Sequence, residues 1–182
     1  EADDVHYPGT YAAGVFNRLT DEIEGEQIAN ESMVNLPNWL PLTFRIEGGP
    51  WFDVGAVELL DYHQELDLRR AVLTRHLRFR DAEGRTTTVS QRRFVAMHEA
   101  HVAALETTIL SEDWSGTLEV RSGIDGTVRN WLVKRYRDLS SDHLEVLRTT
   151  ALADDSVLLE AETNQSHVRI AMASRVSFRH ED

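Results

Sequence analysis

The segment His98-Glu99-Ala100-His101 combines residue types that bind zinc and move protons. A zinc-protease helix needs two histidines four positions apart on one face, with a glutamate directly after the first. Here the histidines are three positions apart, in a strand-rich stretch where His98 and His101 should point to opposite faces. A turn could still bring them together, but the pattern favours an ordinary surface segment over a metal site.

Two further patterns resemble known active sites without completing them. Gly9 and Gly14 give the two-glycine frame of a phosphate loop, yet Val15 and Phe16 stand where a lysine and a hydroxyl residue would bind phosphate and magnesium. The chain has no Gly-x-Ser-x-Gly segment for a serine hydrolase, and no cysteine for a thiolate nucleophile or a zinc site. We therefore predict no catalytic, cofactor-binding or metal-binding residue in this chain, and no cofactor.

Cleaving or binding a carbohydrate requires residue types that occur in most proteins, namely carboxylates and aromatic rings. Glycoside cleavage requires two carboxyl groups on either side of a sugar bond, but spacing singles out no such pair among the 31 acidic residues. Aromatic rings can stack on sugars, although tryptophan in a β-sandwich is more often part of the core or an interface. The four tryptophans are Trp39, Trp51, Trp114 and Trp131.

The composition is typical of a folded, acidic protein. Its 182 residues and net charge of −12 suit one domain with a hydrophobic core. It lacks the apolar run of about 18 residues that a membrane helix needs, and it shows no signal peptide, so we expect a cytoplasmic protein with no membrane partner. Because it has no concentrated basic face, we expect no nucleic-acid partner either.

Charge is distributed unevenly along the chain. Residues 1–34 contain eight acids and a single arginine, whereas residues 65–93 contain eight arginines and four acids. We favour the interpretation that these are solvated surfaces, with the arginines on outer strand faces. Opposite charges could also let the two segments dock on each other or on a neighbouring domain.

From about Leu40 onward, apolar residues recur with a period of two, which is typical of strands. Leu42, Phe44 and Ile46 alternate with polar residues, and so do Ala71, Leu73, Leu77 and Phe79, with Arg75 as the odd member of that inner row. Residues 81–84 are predicted to connect a hairpin. The predicted strands are residues 42–46, 71–80, 86–97, 102–110, 117–121, 143–150, 156–163 and 168–178. Helical spacing is plausible only near residues 130–139 and 20–29, so the pattern predicts an all-β, antiparallel, two-sheet β-sandwich.

Several linked motifs in a fixed order carry a family resemblance. They are residues 7–17 (Tyr-Pro-Gly-Thr-Tyr-Ala-Ala-Gly-Val-Phe-Asn), residues 31–40 around Asn35-Leu36-Pro37-Asn38-Trp39, residues 62–69 with 73–75, residues 93–97, and Ser122-Gly123-Ile124-Asp125-Gly126. Together they resemble the N-terminal domain of glycoside hydrolase family 65, which contains the maltose, trehalose and kojibiose phosphorylases and their hydrolase relatives. The order and spacing hold from about Tyr7 to about Thr150.

The resemblance implies a large antiparallel super-sandwich, of the galactose mutarotase type, followed by a helical linker and an (α/α)6 barrel. In the phosphorylases, that barrel carries a glutamate general acid, and inorganic phosphate attacks the anomeric carbon from the opposite face. The product is β-glucose 1-phosphate, and neither a metal nor an organic cofactor is required. The catalytic glutamate and the phosphate-binding residues belong to the barrel, so the resemblance assigns no catalytic residue to this chain.

We therefore expect residues 1–182 to form a single β-sandwich domain, a fragment of a longer bacterial enzyme, since the chain begins at Glu1 and contains no barrel. The expected function is non-catalytic: the domain packs on the barrel and shapes its active-site mouth, and it could contribute to a homodimer. The alternative is a free-standing carbohydrate-binding module. Residues 7–17 are interpreted as the start of a strand, residues 35–39 as a structural turn held by Trp39, and Asp125-Gly126 as a turn.

Overall fold

The computed structural model describes residues 9–131 and 139–180. Within these residues the chain forms eleven β-strands and one turn of 3-10 helix, Val54–Ala56. The strands are β1 (Phe16–Ile23), β2 (Glu26–Met33), β3 (Leu42–Ile46), β4 (Glu58–Asp67), β5 (Val72–Arg80), β6 (Thr86–Val95), β7 (Ala103–Ser111), β8 (Leu118–Ser122), β9 (Leu144–Ala153), β10 (Ser156–Thr163) and β11 (Arg169–Arg175). The helical spacing near residues 130–139 falls mainly on residues 132–138, which lie outside the described residues.

The strands belong to four hydrogen-bonded sheets, which are β1–β2, β3–β8, β4–β5–β6–β7 and β11–β10–β9. Neighbouring strands run antiparallel in the β1–β2 pair and in both larger sheets. The bonds Glu47 N to Thr117 O and Gly123 N to Pro41 O give the β3–β8 pair the same sense. The all-β antiparallel architecture expected from the period-two pattern, of the β-sandwich type, is confirmed. Across the described residues, no helix has the length and apolar character to cross a membrane.

The chain divides into two compact units. The first comprises Glu1–Leu42 with Arg121–Asp182, and the second comprises Thr43–Val120. In the second unit the core is aromatic. The rings of Phe44 and Phe52 stack with centroids 5.0 Å apart, and Phe79 lies 4.8 Å from Phe52. Leu77 and Val89 are buried in the same cluster.

Alternation correctly predicted most of the inner row, with one exception. Phe44, Ile46, Leu77 and Phe79 are all buried. Ala71, however, is exposed, and its φ of 53° places it in the turn between β4 and β5. The inner row therefore starts after Ala71, because a residue in the left-handed region interrupts the alternation of a strand.

Two elements were not predicted from the sequence. In β4 the register shifts between Leu59 and Asp61, so Leu59 and Tyr62 lie on one face although they are three positions apart. A β-bulge of this kind breaks the period of two. The β1–β2 hairpin occupies residues that also allowed a helical interpretation, and it turns at Glu24 and Gly25, whose φ angles are 53° and 86°. Two successive positive φ angles define a type I′ turn, and a glycine at the second position is its usual sequence signal.

In the first unit, a loop approaches the three-stranded sheet closely. Leu159 and Ala161 of β10 are buried. A Cβ atom at Gly126 would lie 2.7 Å from Cγ2 of Val146 and 2.8 Å from Cδ1 of Leu159. Only a glycine lets the backbone pass this close to the sheet, since ordinary carbon contacts are about 3.5–4.0 Å.

Candidate functional site

The histidines that first suggested a metal site lie in an exposed connection. His98 and His101 are in the turn between β6 and β7, which is closed by a hydrogen bond from Ala96 N to Val102 O of 2.9 Å. The two histidines therefore lie between the strands predicted at residues 86–97 and 102–110, and the expectation that they point to opposite faces of a strand does not apply, because β6 ends at Val95. Among the described residues, no three histidine, aspartate or glutamate side chains are grouped so that they could hold a metal ion.

The tryptophans have separate environments. The Arg45 guanidinium lies 4.8 Å from the centre of the Trp51 ring. Trp114 Nε1 donates a hydrogen bond of 3.0 Å to Thr87 Oγ1, whose residue is fully buried. Trp39 is partly buried and Trp131 is 47% exposed. Trp51 and Trp114 therefore contact partners inside their own unit, and the indole N–H of Trp114 is satisfied.

Motif residues of the first unit use their polar groups to hold loops together. Asn35 is 3% exposed; its Oδ1 accepts from Thr10 N at 2.9 Å, and its Nδ2 donates to Arg129 O at 3.0 Å. Asn38 exchanges two backbone hydrogen bonds with Asp125, of 2.8 and 2.9 Å. These bonds support the structural interpretation of Asn35 and Asn38, whereas the anchoring role expected of Trp39 stays a prediction.

Asp125 forms the turn that its sequence predicted. Its Oδ1 accepts from the backbone N of Thr127 at 2.9 Å and from the hydroxyl of the same residue at 2.7 Å. A carboxylate that bonds to the backbone two residues ahead is an Asx turn. Asp125 therefore has a structural partner.

A buried polar cluster in the first unit surrounds Asn17 of β1, which is 1% exposed. Its Oδ1 accepts from the backbone N of Ser166 at 2.9 Å and of Gln165 at 3.2 Å. Its Nδ2 donates to Asn164 Oδ1 at 2.8 Å and lies 3.1 Å from His143 Nδ1. Because two backbone N–H groups can only donate, they fix which amide atom is the oxygen.

His143 is consequently a neutral acceptor within this cluster. The residue is 2% exposed, and its Nδ1 must accept from the Asn17 amide, so the ring proton is assigned to Nε2. Burial lowers the pKa of His143, while the nearby Asp142 raises it to a smaller extent. Nε2 has no hydrogen-bond partner among the described residues. Sequence reasoning missed this cluster because His143 and Asn17 are 126 positions apart and neither belongs to a recognisable spacing.

The four-stranded sheet of the second unit has one mixed face, which carries Leu77, Phe79 and Val89 of the core in one half and exposed apolar side chains with two arginines in the other. The register aligns Leu66, Leu73, Arg93 and Leu105 across the four strands. We call this region the open half; its residues are Tyr62, Leu66, Leu73, Arg75, Arg93 and Leu105. Leu66 is 55% exposed and Tyr62 is 49% exposed. A groove of about 480 Å³ begins here, lined by Tyr62, Arg75 and Leu77 with Phe52, Asp53, Val54 and Leu59.

The opposite face of the same sheet is a solvated surface of ion pairs. Arg78 Nη2 lies 2.7 Å from Glu112 Oε2, and Arg92 Nε donates to Glu106 at 2.6 Å. Hydrogen bonds from Arg78 and from the Thr88 hydroxyl lower the pKa of Glu112 to about 2. The prediction that arginines occupy an outer strand face is confirmed for Arg78 and Arg92. Arg75 and Arg93 instead lie on the face that also contains the core.

Comparisons with known proteins identify the family. The family model described as "Glycosyl hydrolase family 65, N-terminal domain" matches residues 1–182. An uncharacterized glycosyl hydrolase of Mycobacterium tuberculosis (strain H37Rv) is 60% identical over 172 residues, which cover 94% of this chain and 13% of that protein. Kojibiose phosphorylase of Caldanaerobacter subterraneus is 32% identical over 175 residues, covering 96% of this chain and 21% of the phosphorylase.

A further relative has a phosphorylated substrate in its name. Trehalose 6-phosphate phosphorylase of Lactococcus lactis is 33% identical over 178 residues, covering 94% of this chain and 21% of that enzyme. The chain thus spans about a fifth or less of the length of these relatives. The match over the whole chain shows that it belongs to glycoside hydrolase family 65 and corresponds to the N-terminal domain of that family.

Proposed function

We propose that this chain is the non-catalytic N-terminal β-sandwich of a bacterial enzyme that cleaves α-linked glucose disaccharides with phosphate or water. In this proposal the domain packs on the (α/α)6 barrel of the same polypeptide and shapes the mouth of its active site. The observation that carries the proposal is the full-length match to the family's N-terminal domain, which spans only 21% of the kojibiose phosphorylase. The longer remainder of such an enzyme has room for the reaction centre.

The contacts of the motif residues support a structural role for this chain. Asn35, Asn38 and Asp125 use their polar atoms to join loops of their own unit. Groups committed in this way hold a fold together and are poorly placed to bind a sugar or transfer a proton. A polar constellation built for catalysis would instead converge on a shared cleft.

The exposed apolar residues of the open half support packing against another surface. Leu66 and Tyr62 are about half exposed, and Leu59 beside them is 43% exposed. Exposed apolar side chains on one sheet face commonly mark a contact with another protein surface, and here they lie on both sides of a polar row formed by Gln64, Arg75, Gln91 and Thr107. The proposal places this enzyme in the cytoplasm, with inorganic phosphate and an α-glucoside bound by its barrel, and a homodimer interface could include this domain. A free-standing carbohydrate-binding module is not favoured, because the named relatives are phosphorylases of much greater length.

The test compares the full-length enzyme with the 182-residue chain. Each is incubated with kojibiose, trehalose, trehalose 6-phosphate or maltose, with and without inorganic phosphate, and phosphorus NMR follows glucose 1-phosphate while an enzymatic assay follows glucose. We expect product from the full-length enzyme alone. Product from the 182-residue chain by itself would overturn the non-catalytic assignment, and saturable sugar binding to it in calorimetry would restore the module alternative.

A further inference from the structure

The two arginines of the open half are unlike the other arginines of their sheet. Arg75 and Arg93 have no carboxylate partner among the described residues, and Arg75 Nη2 donates to the neutral Gln91 at 2.5 Å. On the opposite face, Arg78 and Arg92 are both paired with glutamates. The contrast is sharp in a chain that has 31 acids against 19 basic residues.

The surroundings of Arg93 raise the free-energy cost of leaving its positive charge unpaired. Its side chain is partly buried, and its neighbours along the row are Leu73 on β5 and Leu105 on β7. Burial, together with repulsion from Arg75, lowers the pKa of the Arg93 guanidinium. A partly desolvated cation gains most from a carboxylate that is brought to it by another surface, because a bidentate arginine–carboxylate pair is stronger than an ordinary hydrogen bond.

The groove beside the open half contributes a single carboxylate, and that group is already used. Asp53 lies in the groove lining, where its Oδ1 accepts from Gly55 N at 2.9 Å and caps the 3-10 turn. The strands β4, β5, β6 and β7 place no acid on this face at the open half. The face therefore combines exposed leucine and tyrosine with two arginines that no carboxylate within residues 9–131 and 139–180 neutralises.

From this arrangement we infer that the open half docks a surface of the catalytic barrel of the same polypeptide, and that this surface presents a carboxylate, flanked by apolar side chains, between Arg75 and Arg93. The inference rests on the proposed function, since it names the surface through which the domain packs. The relatives leave about four fifths or more of their length to supply such an element. A two-fold contact between two copies of the open half would instead set arginine pairs against each other, which disfavours a second copy as the occupant.

Photo-cross-linking in the full-length enzyme tests the location. A benzophenone amino acid replaces Leu66 of the open half in one variant, and Leu110 of the opposite face in the control; these leucines are 55% and 57% exposed, so accessibility is matched. We expect cross-links from position 66 to peptides beyond residue 182 that contain aspartate or glutamate, and few from position 110. A mixture of ¹⁴N- and ¹⁵N-labelled enzyme separates links within one chain from links between copies.

The outcomes separate the inference from the proposed function. Cross-links from position 110 but not from 66 would overturn the open half as the docking surface and leave packing on the barrel standing. No cross-link from either position to residues beyond 182 would overturn the open half as the docking surface and would restrict packing on the barrel to parts of the chain that carry neither probe, such as the first unit. Links from position 66 only to a second copy would replace the barrel by a dimer partner.

A charge test addresses the two arginines. In the position-66 variant, Arg93→Gln should reduce the cross-link yield by roughly tenfold, since removing one partner of a desolvated pair weakens binding strongly. Arg92→Gln is the control, because Arg92 directly precedes Arg93 in the chain but lies on the opposite face of the sheet, where it pairs with Glu106. An unchanged yield with Arg93→Gln and a normal circular dichroism spectrum would contradict the role of the charge pair, and so would cross-linked peptides that lack carboxylates.

Discussion

Replacing Asn17 by alanine tests whether the buried polar cluster holds the first unit together. The substitution removes two donated and two accepted hydrogen bonds, which connect β1 to His143 and to the turn between β10 and β11. A net contribution of about 0.5–1.5 kcal/mol for each bond gives about 2–6 kcal/mol. Three of the partner residues are exposed, so water can replace part of the loss, and we expect about 2–4 kcal/mol.

Hydrogen exchange in the full-length protein measures the loss of stability caused by Asn17→Ala at individual backbone amides. Since 1.4 kcal/mol corresponds to a factor of ten, protection of the β10 amides should fall by roughly 30- to 700-fold. The Ser166 amide should lose most of its protection directly, because its acceptor is removed. Asn30→Ala is the matched control: Asn30 lies in the same hairpin, and its side chain makes a hydrogen bond of 3.2 Å with nearby Ser32.

Two results would refute the reasoning. Unchanged protection of the Ser166 amide in Asn17→Ala would mean that this N–H does not depend on the asparagine oxygen. An equal loss of protection in Asn30→Ala would mean that the whole hairpin, and not the buried cluster, is sensitive to substitution. The expected difference is large because Asn17 is 1% exposed whereas Asn30 is only partly buried.

Three further substitutions, at His143, Arg78 and Gly126, should change stability or a pKa in a direction that follows from the structure. Burial lowers the pKa of His143 below its usual 6.5, so its contribution to stability is present above about pH 6.5 and is lost as the pH falls through the lower native pKa. The free energy of unfolding in urea should therefore depend less on pH in that range for His143→Gln than for the wild type. An identical pH dependence in the two proteins would contradict this. Arg78→Gln should raise the pKa of Glu112 from about 2 toward 4.5 in a carboxyl NMR titration, and an unmoved titration would show that the ion pair does not set it. Gly126→Ala should destabilise the protein by about 1–3 kcal/mol, since the new methyl overlaps two side chains of the sheet, whereas Gly123→Ala, which meets nothing within 4 Å, should not. Equal unfolding midpoints for the two alanine variants would disprove the overlap.

Local patterns predicted most of the strands. The Asp81 connection is an example: its Oδ1 accepts from the backbone N of Glu83 and of Arg85, as a short hairpin turn requires. The same reasoning failed at β4, where the bulge near Leu59 shifts the alternation, and at Ala71, which lies in the turn before β5. These failures share a cause, since a single inserted or turned residue reverses the face of every residue after it.

Other features depend on pairings that sequence spacing does not encode. Arg75, Arg78, Arg92 and Arg93 look alike in the sequence, yet Arg78 and Arg92 have glutamate partners and the other two share a face with the core. Which arginine pairs with an acid depends on the register of β5 and β6 with their neighbours, and that register is a property of the assembled sheet.

The sequence by itself determined the family and the all-β antiparallel class. Both follow from information carried locally: linked motifs in order, and side chains that alternate because successive residues of a strand point to opposite faces. Only the tertiary structure joined Asn17 to His143 and placed Arg75 and Arg93 beside exposed apolar side chains with no carboxylate partner in the described part of the chain. The physical reason is that burial and hydrogen-bond partnership arise between segments far apart in the chain, so they exist only once the sheets have formed.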